Sequence, residues 1–190
     1  MANDLANVCL DSWDKAFDQR NAAASNIVKA VNKASTNKDR AEQYLYSVSD
    51  QLIYSRKIAV LTQERCLEVT TITHSDIHKH LRDLDNLDER FECSWEVVDF
   101  LNHWRLFANS KDKMWEYNEA ENYSKAKVFA KVSAGFRVKV KLSAERFMQN
   151  NRHCGEQRDL LEVVSKVQAI ANKYDDNYFS DLSKQFASKQ

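Results

Sequence analysis

Proline is absent from these 190 residues, and glycine occurs only at Gly135 and Gly155. Average usage would place roughly nine prolines and thirteen glycines in a chain this long. Proline and glycine end helices and shape tight turns, so their near-absence predicts few turns and long helices. It also excludes functions. Phosphate-binding loops, dinucleotide fingerprints and nucleophile elbows all need glycine at fixed spacings, and none can be written here. Net charge is missing too: 28 basic residues balance 28 acidic ones, leaving no long-range attraction to nucleic acid or anionic lipid. No run of about 18 apolar residues exists to span a membrane as a simple helix. The opening stretch, MANDLANVCLDSWDKAF, carries acids where a secretory signal has basic and then apolar residues. No signal peptide is therefore expected, and a cytoplasmic location is the default. Cys9, Cys66, Cys93 and Cys154 include no C-x-x-C pair and are expected to be buried thiols in a reducing compartment.

What is present is helical periodicity. With 43% hydrophobic and 29% charged residues, the chain is too apolar for disorder and suits one folded domain over residues 1–190. A first helix is expected from Asp4 to Ala34, on Leu5, Cys9, Trp13, Phe17, Ile27, Val31 and Ala34. Ser35, Thr36 and Asn37 form the turn, with Thr36 capping the next helix. The second helix is expected from Lys38 to Leu84, on Ala41, Leu45, Val48, Leu52, Ala59, Cys66, Val69, Ile77, Leu81 and Leu84. Its far end turns polar, with Thr62, Thr70, Thr73 and His80 at or near core positions. A reversal is expected over Asp83–Asp88, followed by a third segment to Asn150 with a break near Asn109. Asn150–Gly155 is the next turn, with Gly155 suited to a left-handed helix terminus. A last helix follows, from Glu156 to Phe186.

One stretch competes with this reading. Residues 136–142 alternate apolar and basic, as a half-buried strand would. On a helix, however, Phe129, Val132, Phe136, Val140 and Phe147 share one face, and helix is the expectation. The expected fold is all-α: an elongated antiparallel up-down four-helix bundle. Its long central helices would outreach the outer pair.

The densest apolar stretch is FECSWEVVDFLNHWRLF, Phe91 to Phe107. On a wheel Cys93, Val97, Phe100, Leu101, Trp104 and Phe107 form one face, and Phe91, Trp95, Val98 and Leu106 lie roughly opposite. A helix apolar on two sides needs burial on both, and large aromatic side chains dominate interfaces. Phe91, Trp95, Val98 and Leu106 are therefore the expected partner-binding residues.

Other constellations are weaker. His74 and His78, one helical turn apart near Asp76 and His80, have a spacing that could share a zinc ion. No Glu-x-x-His, His-Glu-x-x-His or cysteine-pair motif accompanies them, so no metal and no cofactor is expected. Phosphohistidine transfer lacks its motif as well. Lys125, Lys127, Lys131, Arg137, Lys139, Lys141 and Arg146 face one acid, Glu145, and flank an apolar stripe with their heads in water. No catalytic residue is identified, because a chain with few loops has little to build a pocket from.

The leading expectation is a non-enzymatic interaction or scaffolding protein that docks a protein partner or a second copy through the aromatic-rich face. The alternative is a peripheral membrane-binding or membrane-remodelling protein, of the pore-forming kind at the extreme. There, Lys125, Lys127, Lys131, Lys139 and Lys141 would contact headgroups and the aromatic hairpin would enter lipid. Nucleic-acid recognition is not expected, since no motif or charge excess supports it.

Overall fold

The computed structural model describes residues 2–149 and 152–189. It is all-α, with seven helices and no strand among the described residues. They are α1 (Ala2–Ala34), α2 (Lys38–Arg65), α3 (His74–Glu119), α4 (Tyr123–Gln149), α5 (Arg152–Glu156), α6 (Arg158–Ala171) and α7 (Tyr178–Ser188). Packing divides the chain into two compact units. The first holds Met1–Lys33 and Asp39–Trp95, the second Ala34–Lys38 and Glu96–Gln190. Helix α3 contributes to both.

In the first unit, α1, α2 and the start of α3 bury the seams that their periodicity marks. Cys9, Trp13, Ala16, Ala23 and Ile27 face inward from α1, and Ala41, Leu45, Val48, Leu52, Ala59 and Thr62 from α2. Pairing contacts fix direction. Ser55 bonds the carbonyl of Ala16 and Gln51 meets Asn26, so α2 runs antiparallel to α1. Arg56 pairs with Asp85 and Asp88 while Tyr46 meets Trp95, so α3 runs antiparallel to α2. Cys9 and Cys66 are joined by a disulfide, Cα–Cα 5.8 Å. None of the four cysteines is a free thiol, which corrects the expectation of buried thiols.

The long second helix expected to Leu84 is divided. α2 stops at Arg65, and α3 begins at His74. The intervening Val69-Thr70-Thr71-Ile72-Thr73 is β-branched throughout, the class that loses side-chain freedom in a helix. Thr70 turns its hydroxyl onto the carbonyl of Cys66, and Ile72 is buried in a cluster with Trp13, Ala59 and Ile77. Thr73 and Asp76 then form a capping box. The Asp76 amide donates to Thr73 Oγ1 at 3.2 Å, and the Thr73 amide donates to Asp76 Oδ2 at 2.9 Å. The reversal expected at Asp83–Asp88 is instead plain helix, with Leu84 buried and Asp85 and Asp88 paired to Arg56.

In the second unit α3 runs unbroken through Asn109, so the break expected there does not occur. Ser110 at that point is buried, donating to the carbonyl of Phe107 and accepting from Ser133 of α4 at 2.9 Å. The turn comes at Ala120-Glu121-Asn122. Asn122 N bonds Tyr117 O, Glu121 N bonds Asn118 O, and Glu121 adopts φ 56°. This is a Schellman terminus whose left-handed residue is a glutamate where glycine is the usual occupant. Residues 136–142 are helical, as expected.

Helix α4 is packed from several sides, by α3 through Ser110–Ser133 and His103–Ser143 and by α5, α6 and α7. Its buried seam is mostly small: Ala126, Ala130, Ser133, Arg137, Val140, Ser143, Ala144 and Phe147. Arg137, expected in a solvated basic face, is buried. Its guanidinium reaches Asp176 Oδ1 at 2.7 Å and the carbonyl of Tyr174. That contact holds residues 172–177, a turn between α6 and α7 where one continuous last helix was expected. Asn150 and Asn151 of the expected third turn lie outside the described residues. Gly155 sits inside the short α5 without a positive φ, so it is not the left-handed terminus expected.

Candidate functional site

The four side chains expected to form one docking face differ in burial. Val98 is 1% exposed and therefore a core residue of the second unit, which corrects its assignment as a partner contact. Its neighbours Val97, Phe100, Leu101 and Phe107 are buried as well. Leu106 is half-buried and lines a groove of about 460 Å³ between α3 and α4, with Phe129, Val132 and Phe136.

Phe91 and Trp95 belong to the first unit and remain at its surface, half-buried. Phe91 packs against the cluster of Ile27, Val48, Leu52 and Leu84 and forms one wall of a groove of about 380 Å³. Leu52, Ile53, Arg56 and Val60 of α2 line the other side. Trp95 stands edge-on to Tyr46, ring centroids 5.3 Å apart, and 6.3 Å from the ring of Phe91.

On α2 the apolar side chains outside the core form a row. Tyr46 is 64% exposed, Ile53 63% and Val60 43%. The interval is seven residues, so all three lie along one line of the helix. None of the three was among the expected partner contacts, although their spacing is visible in the sequence. Ion pairs from Arg56 to Asp85 and Asp88 edge the groove; burial lowers the guanidinium's pKa, but the hydrogen bonds to the two carboxylates outweigh it and hold the group above its ordinary range.

His74 and His78 are exposed at the start of α3, with Asp76 occupied by the capping box. His80 is different. It is buried in a polar layer to which each helix of the unit contributes at a seam position: Arg20 from α1, Ser55 from α2 and His80 from α3. Ser55 donates to the carbonyl of Ala16 at 2.7 Å and lies 2.9 Å from His80 Nε2. With its proton given to Ala16, Ser55 accepts from Nε2–H. That leaves Nδ1 as the acceptor for Arg20 Nη1 at 3.3 Å, and Arg20 is paired with Asp83 at 2.8 Å. Trp13 and Phe17 close around the imidazole, centroids 5.0 and 4.7 Å away. Burial, and then the Arg20 charge, push the His80 pKa down from 6.5 to about 4 against a smaller opposing pull from Asp83. The serine and histidine resemble a catalytic pair in distance, but both are sealed from solvent, and no substrate atom can reach them.

Of the lysines considered for anion contact, Lys141 lies 3.8 Å from Asp176. Lys125 lies over the ring of Tyr117 and Lys139 over Phe136. Lys131 is exposed and Lys127 half-buried. No described helix is long and apolar enough to cross a membrane. Set against known proteins, the chain matches no protein-family model, no curated protein and no solved structure.

Proposed function

We propose that this protein is a non-enzymatic helical interaction module that self-associates through the outer row of α2. The observation that carries the reading is the seven-residue row of Tyr46, Ile53 and Val60, largely exposed beside the Phe91–Trp95 wall. A heptad row is the pattern by which one helix packs along another, and a second copy of α2 fits it. With a two-fold axis at Ile53, Tyr46 of one copy falls opposite Val60 of the other, and Ile53 meets itself. Asp50 then falls opposite Lys57 across the axis, so the polar edge is self-complementary as an isologous interface requires. Zero net charge leaves no long-range repulsion between copies. Behind the row, the buried seam of α2 packs on the rest of the first unit and supports it.

Sedimentation analysis tests this directly. A dimer is expected, and Ile53→Asp should weaken it roughly a hundredfold, since burying one isoleucine from each copy contributes about 3 kcal/mol together. Asp50→Lys should also weaken association, and adding Lys57→Asp should restore it. A wild-type protein that stays monomeric across the accessible concentration range would refute the proposal. So would a dimer indifferent to Ile53→Asp.

A further inference from the structure

Helix α4 wears its aliphatic side chains on the outside. Its buried seam is dominated by alanine and serine, while Val128, Val132, Val138 and Leu142 are 57%, 37%, 52% and 55% exposed. At 100° per residue these four fall within an arc of about 120°, and they extend for about 21 Å along the helix. Lys131 and Lys139 lie inside the same arc, with Arg146 at its far end and Lys127 at one edge. The helix has a single acid, Glu145, which stands at the same edge of the arc as Lys127, near the other end of the helix.

We infer that this face of α4 docks on an anionic lipid surface. The positions of the cations decide the occupant. A helix–helix seam keeps its apolar positions together and sets charges along the flanks. Here Lys131 and Lys139 are interleaved with the valines, so a protein helix covering the aliphatic groups would strip both ammonium groups of water. A membrane interface accepts that mixture. Lysine stems lie along apolar surface with their heads at the lipid phosphates, while valine and leucine methyls enter the acyl boundary. The attachment is peripheral: the aliphatic groups are short, and local positive charge supplies much of the attraction.

The test is co-sedimentation with phosphatidylcholine vesicles prepared with and without phosphatidylserine. Binding is expected only with phosphatidylserine. It should weaken strongly as salt rises from about 0.1 M to about 1 M, where the Debye length falls from ~10 Å to ~3 Å. Lys131→Glu with Lys139→Glu should reduce binding at least tenfold, on the order of the attraction each lysine adds near such a surface. Val138→Asn with Leu142→Asn should reduce it while leaving the charge unchanged. All four positions are exposed, so the helical circular dichroism signal and melting temperature should be retained. The inference is overturned if no binding to phosphatidylserine vesicles occurs at low salt, or if the lysine variant binds like wild type. Binding of an acidic helical peptide without vesicle binding would also overturn it and give the face to a protein partner.

Discussion

Acid should loosen the first unit through one residue, His80. In the folded protein its Nδ1 accepts from Arg20 and its Nε2 donates to Ser55, so a second proton would bring an N–H⁺ against the guanidinium. The folded pKa is pushed down to about 4, against 6.5 when the imidazole is free. Between those values the unfolded chain holds the proton and the folded chain does not, so unfolding takes up a proton. The stabilisation is complete above about pH 6.5 and is lost as pH falls. It declines by about 1.4 kcal/mol per pH unit and levels off below about pH 4, for roughly 3 kcal/mol in all. Asp76 and Asp176, each held below the ordinary 3.8 chiefly by side-chain hydrogen bonds from Thr73 and Arg137, lose their contributions at still lower pH. The two windows therefore separate. Urea unfolding at a series of pH values between about 4 and 7 reads the slope, and NMR titration of the imidazole identifies the group. His80→Gln should cost stability at neutral pH but flatten the dependence across this window. An imidazole titrating near its free value, or a His80→Gln protein with the wild-type slope, would refute the network as drawn.

Two further variants test the crosslink and the left-handed turn. Cys9→Ser with Cys66→Ser opens a crosslink between residues 57 apart, and the lost chain restriction should lower stability by about 4 kcal/mol, measured by urea unfolding of the double variant against wild type. Glu121→Gly removes the left-handed strain at φ 56°. It should raise the stability of the second unit by about 0.5–1 kcal/mol, less whatever the unfolded glycine gains in freedom. A lower melting temperature would show that the Glu121 side chain holds the turn by other contacts.

The helices were legible because their seams repeat at three and four residues, and most of those seam residues are indeed inside. The breaks were not, because a chain short of glycine and proline marks them by other means. Asp83-Leu84-Asp85-Asn86-Leu87-Asp88 looks like a turn by composition. Yet Leu84 keeps the core register, and Asp85 and Asp88 have a cation waiting on α2. The true break at residues 66–73 was signalled by five β-branched residues in a row and by Thr73-x-x-Asp76 behind them. The convergence of Arg20, Ser55 and His80 was harder to see. Each is a polar residue at a seam position, and sequence shows that three such residues exist without showing that they meet at one level.

The candidate surfaces were legible only in part, for a reason that α4 makes plain. That helix has two arcs free of acids, one rich in alanine and serine and one in valine and leucine. Hydropathy alone favours burying the second. Packing decides otherwise: α3, α6 and α7 all press on α4, and small side chains let their backbones approach where valines would hold them off. The larger aliphatic groups are then left over, among lysines that tolerate water. On α2 the core row of Leu45, Val48 and Leu52 accounts for one apolar arc, and Tyr46, Ile53 and Val60 repeat beside it. A helix in a bundle is read correctly only when every apolar arc is assigned a neighbour, and an arc without one is where binding should be sought.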